Sequence, residues 1–133
     1  MNPIYIDLTC DQWYPHPRQT VWAAITNAEA IAQWLFETDF EPFVGKTFTL
    51  PTNDIGTWAC TVLELIPPHR MTWLMQSPDI PERTLVVFTL WEVDGGTRLK
   101  VRHRGPAKPE HREDITEGWP GKLKHLLVHI PSD

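Results

Sequence analysis

The chain has 133 residues, 41% hydrophobic and 22% charged, which is enough for one packed core and too apolar for a disordered chain. Seventeen acidic residues against 12 basic ones give a net charge of -5, which argues against nucleic acid or an anionic membrane as the main partner. No apolar run nears the roughly 18 residues of a membrane span; Asp7 interrupts the stretch a secretory leader would need, and two cysteines outside any Cys-x-x-Cys pair make no disulfide framework.

A single cytoplasmic domain over residues 1–133 is therefore expected. Ile4, Ile6, Leu8 and Cys10 alternate with polar or aromatic residues and predict a half-buried first strand. Pro15 and Pro17 break it. Pro17 opens a helix carrying Val21, Trp22, Ala24 and Ile25, and Asn27 caps a second short helix with Ile31, Trp34 and Leu35 on one stripe. Strands are predicted over 45–50, 57–66, 71–75, 83–93 and 97–104. The turns between them fall at 51–56, at Pro67-Pro68 and at Asp94-Gly95, and Pro106 to Pro109 ends the sheet. A helix over 115–130 follows, capped by Asp114, with Ile115, Trp119, Leu123, Leu126, Leu127 and Ile130 on one stripe. Pro120 predicts a kink in it, or a start at that residue.

The two-residue turn at Asp94-Gly95 sets a register. Val93 pairs with Gly96, so Leu90 faces Leu99, Phe88 faces Val101 and Val86 faces His103. The other face pairs Trp91 with Arg98, Thr89 with Lys100 and Val87 with Arg102. Only the first face is apolar enough for the core. The Pro67-Pro68 hairpin places Leu63, Leu65, Met71, Trp73 and Met75 on one face, with Glu64 and Thr72 on the other.

Several short motifs in order carry a family resemblance. They are Pro17-x-x-x-Val21-Trp22-x-x-x-Thr26, Trp34, Gly45-x-x-Phe48, Pro67-Pro68-x-Arg70-Met71-x-Trp73, Phe88-Thr89-Leu90, Gly96-Thr97-Arg98-Leu99, His103-x-Gly105 and Gly118-Trp119. From about Ile4 to Ile130 the chain resembles single-domain relatives of the activator of the heat-shock protein 90 ATPase, within the START-like (SRPBCC) superfamily. The resemblance implies an α+β helix-grip fold. That fold has a curved antiparallel sheet of about six strands, two short helices after the first strand, and a long C-terminal helix on the concave face. Pro120 within the gripping helix departs from the family pattern.

Nucleophile and metal chemistry find little support. Ser77 and Ser132 sit in no G-x-S-x-G turn, and Cys10 and Cys60 occupy ordinary strand positions. His125 and His129 have metal-ligand spacing, but Leu126 stands where a zincin has Glu; a solvated helix face is expected, with no metal and no cofactor. His103 is different: a histidine on the core face, either satisfied at the rim or orienting an apolar guest. In the helix-grip fold a cavity often lies between sheet and helix. Its expected lining is Leu63, Met71, Trp73, Met75, Phe88, Leu90, Leu99, Val101, His103, Trp119 and Leu123. Arg98, Lys100 and Arg102 form an outer basic row, either solvated, with Trp91 stacked on Arg98, or docking an acidic protein such as a chaperone. The leading expectation is a non-enzymatic domain binding a small apolar or amphipathic ligand. The alternatives are an interaction module that modulates a chaperone ATPase and, third, a cyclase- or hydrolase-type enzyme using His103.

Overall fold

The computed structural model describes residues 3–52 and 55–130, so Asn53 and Asp54 of the 51–56 turn, and Ser132, lie outside the described residues. Strand β1 (Ile4–Tyr14) is followed by helices α1 (Arg18–Ile25) and α2 (Ala28–Trp34). Five strands come next: β2 (Thr47–Pro51), β3 (Thr57–Ile66), β4 (Arg70–Gln76), β5 (Arg83–Val93) and β6 (Gly96–Ala107). The last helix is α3 (Arg112–His129). All six strands form one curved antiparallel sheet in the order β1-β6-β5-β4-β3-β2. The fold is the expected α+β helix-grip.

Local chemistry explains the short helices. Pro17 flanks α1 as its cap residue, and the Asn27 side chain accepts a hydrogen bond from the Ala30 N–H to start α2. The Trp34 indole donates to the Ala24 carbonyl at 2.9 Å and ties α2 to α1. The β5–β6 turn has Asp94 at φ 54° and Gly95 at φ 76°, the left-handed pair that a two-residue turn demands. Its register matches the sequence reading at every pair from Val93–Gly96 to Val86–His103. Trp13 of β1 lies over this hairpin: its indole donates to the Val93 carbonyl at 2.9 Å, and a Cβ on Gly96 would collide with the Tyr14 carbonyl oxygen. Only glycine fits there.

The core fills the space between the concave face and the helices. Phe40, Phe48, Trp73 and Phe88 stack in tilted and edge-on pairs with centroids 4.6–5.9 Å apart. Tyr14, fully buried, donates its hydroxyl to the Leu123 carbonyl of α3 at 2.7 Å.

Five details correct the sequence reading. Leu63 is 43% exposed and does not share the face of Trp73, because a bulge between Val62 and Glu64 shifts strand parity; Val62 is buried in its place. Strand β6 continues through Pro106 to Ala107, paired there only with β1, so the missing proline N–H costs no second ladder. Helix α3 begins at Arg112, directly from a 3-10 turn at Pro109–His111, which puts Asp114 in its first turn without a capping bond. The helix also runs through Pro120 and does not start there. Leu127 is 38% exposed, off the buried stripe.

Candidate functional site

His103 sits mid-sheet on the concave side and is 2% exposed. Its Nδ1 lies 3.0 Å from the Trp119 Nε1, and an indole nitrogen only donates, so Nδ1 carries no proton. The proton therefore rests on Nε2 and is donated to the Thr84 Oγ1 at 2.8 Å. Thr84 in turn donates to the Met75 carbonyl at 3.4 Å. This chain runs from α3 through β6 and β5 to β4 and leaves the imidazole neutral and fully engaged. Burial lowers its pKa to about 4. Both nitrogens that proton transfer would require are already occupied.

Above this histidine, between sheet and helix, lies a cavity of about 180 Å³. One wall comes from α3, with Ile115, Gly118 and Trp119. The other comes from Leu35 and Phe36 after α2, Leu50 at the end of β2, and Ile55, Trp58 and Met75. Trp58 and Trp119 stand edge-on to the His103 ring, with centroids at 6.0 and 6.2 Å. The rim is polar, with Thr52, Asp114 and Lys122. Lys122 donates to the Leu35 carbonyl at 3.2 Å and stands 4.4 Å from the centre of the Phe36 ring, which fixes one side of the mouth. A Cβ at Gly118 would meet nothing within 4 Å, so the helix leaves space on the cavity side. A hollow of about 270 Å³ near Asp39, Thr49, Gln76 and Arg83 lies on the other face of the sheet and encloses no buried polar anchor.

Of the residues singled out from the sequence, Met75, His103 and Trp119 line this cavity. Met71, Trp73, Phe88, Leu90, Leu99, Val101 and Leu123 pack into the core at 2% exposure or less, and Leu63 lies away from it on its bulge. Leu35, Phe36, Ile55, Trp58 and Gly118 were not foreseen. Phe36 and Ile55 carried the one available signal, large apolar residues in segments with no strand or helix to absorb them.

The outer basic row is largely neutralised. Arg98 bonds Asp11 at 2.7 Å, and Arg102 forks onto Asp7 at 2.8 and 3.0 Å, which holds the Asp7 carboxyl below its usual range. Arg98 therefore turns toward β1 and not onto Trp91 of β5. Burial pushes the thiols of Cys10 and Cys60 up to about 11 and about 12, so neither is a thiolate at neutral pH. Both are free.

A curved antiparallel sheet gripping a C-terminal helix, with a hollow between the two, is the architecture of a START-like domain. More narrowly, the chain belongs to the family described as Activator of Hsp90 ATPase homolog 1-like protein, whose profile matches residues 15–130. No curated protein matches significantly. Among solved structures, protein MLL2253 from Mesorhizobium loti is similar at 27% identity, covering 92% of this chain and 95% of that one, with a TM-score of 0.79. CalU16 from Micromonospora echinospora is similar at 26% identity over 96% of this chain and 66% of that one, TM-score 0.79. Mll3558 from Rhizobium loti, at 20% identity over 97% and 99% of the two chains and a TM-score of 0.83, shares the fold. Among the described residues no helix is long and apolar enough to cross a membrane.

Proposed function

We propose that this domain binds one small, flat, mainly apolar molecule in the cavity between sheet and α3, and that it does so without catalysing a reaction. The observation that carries this reading is the hollow itself. Two tryptophans and Phe36 wall it, Gly118 leaves it open on the helix side, and a neutral histidine with no spare proton-transfer atom forms its floor. Its volume of about 180 Å³ is close to the roughly 150 Å³ that suits a benzene-sized guest and below the usual drug-sized range. A one- or two-ring ligand fits, and a long acyl chain would have to protrude past Asp114 and Lys122. The free cysteines agree with a cytoplasmic setting. Docking of a chaperone on Arg98, Lys100 and Arg102 is the lesser reading, because two of the three cations already hold partners on β1.

The test is titration with 2-naphthol followed by tryptophan emission. Saturable quenching is expected in the wild type and should vanish in Gly118→Phe, whose ring fills the hollow, while the melting transition stays cooperative. Absence of binding, or binding that Gly118→Phe leaves intact, would remove the ligand-binding reading.

A further inference from the structure

The C-terminal part of α3 carries two histidines that the cavity does not use. His125 and His129 are exposed, four residues apart and so on one helical face. Their side chains converge: the two Nε2 atoms lie 2.9 Å apart, with ring centroids 4.4 Å apart and planes at 85°. At a metal–imidazole bond of about 2.0–2.1 Å, two nitrogens on one ion stand roughly 2.9 Å apart at a right-angled bite and roughly 3.3 Å apart at a tetrahedral one. The pair already has the right-angled spacing, the one that square-planar and octahedral ions take.

We propose that His125 and His129 form a bidentate site for a late first-row divalent cation, Cu²⁺ and Ni²⁺ ahead of Zn²⁺. Among the described residues no third His, Cys, Asp or Glu completes a cluster, so water fills the remaining positions. Imidazole nitrogen suits these ions, and the affinity order follows their intrinsic preference for nitrogen. At 2.9 Å one ring donates its Nε2–H to the other. On metal binding that proton moves through water to the Nδ1 of the same ring, and both Nε2 lone pairs go to the ion. Two neutral rings release no net proton in this exchange. The chelate spans the last turn of α3, and His129 borders a groove against Glu29 and Gln33 of α2, so the ion would staple the end of the gripping helix. It would bind the folded chain in preference to the unfolded one and raise the melting temperature.

The experiment uses the untagged, chelator-treated full chain, titrated calorimetrically with Ni²⁺, Cu²⁺ and Zn²⁺ beside His125→Gln and His129→Gln. One ion per chain is expected, with a higher melting temperature. Each single substitution should weaken Ni²⁺ roughly tenfold or more, because the second bond of a chelate forms intramolecularly. Both variants keep a helix-forming residue at an exposed position, and their unliganded melts check that the fold survives. No binding, binding unchanged in both variants, or loss in only one of them would each overturn the proposal.

Discussion

The tautomer of His103 is set by its neighbours. Trp119 only donates, so the ring must accept at Nδ1, and protonating it would set two donors against each other. The sign of the pH effect follows. The folded value of about 4 lies below the unfolded 6.5, so the unfolded chain takes up the proton first as pH falls. The stability that His103 contributes is full above about pH 6.5 and drains away as pH drops toward 4, about 3 kcal/mol in all. Urea midpoints of the wild type and His103→Gln at pH 7 and pH 4.5 should show this as a difference in slope. The wild type should lose clearly more stability across that interval than the variant. Equal losses would mean that the buried ring is not neutral.

Helix α3 is held by what it packs against and not by its own propensity. Gly118 and Gly121 lie inside it, and Pro120 removes the backbone donor that would reach Thr116. A Cβ at either glycine meets nothing within 4 Å. Gly121→Ala should therefore stabilise by about 0.5–1 kcal/mol and leave 2-naphthol binding unchanged. Gly118→Ala should gain a similar amount but weaken 2-naphthol, since that glycine lines the cavity and Gly121 does not. Thermal melts and the emission titration separate the two, and equal effects on the probe would misplace the ligand. The elements differ in how readable they were. The β5–β6 register was legible because Asp94-Gly95 admits one turn geometry, whereas Leu63 was misplaced because nothing in Val62-Leu63-Glu64 announces a bulge. The α3 stripe was legible by its period except at Leu127, which sits beside buried Leu126 at the stripe's edge. The cavity was legible only in part: Met75, His103 and Trp119 belong to periodic elements, while Leu35, Phe36 and Ile55 reach it from irregular segments that no period describes.

At the scale of the molecule, one helix covers a sheet whose concave face is almost wholly apolar. Removing residues 115–133 would expose Met71, Phe88, Leu99 and Val101 and leave Tyr14 without its acceptor on Leu123. The truncated chain should lose its cooperative melt, bind hydrophobic dye and aggregate; a monomer with a sharp transition would contradict the role given to α3. The pairing of β1 with β6 bears on a different matter, the order of events in time. Residues 4–14 find their ladder partners only at residues 97–107, on the far side of four intervening strands. A chain emerging from the ribosome therefore carries its first strand unpaired until β6 has been made. The meander from β2 to β6 assembles from neighbouring hairpins, but closing the sheet waits for the longest loop in the protein. The N-terminal strand is thus the last strand of the sheet to be paired, and until β6 is made its unpaired edge stays open to capture by other chains.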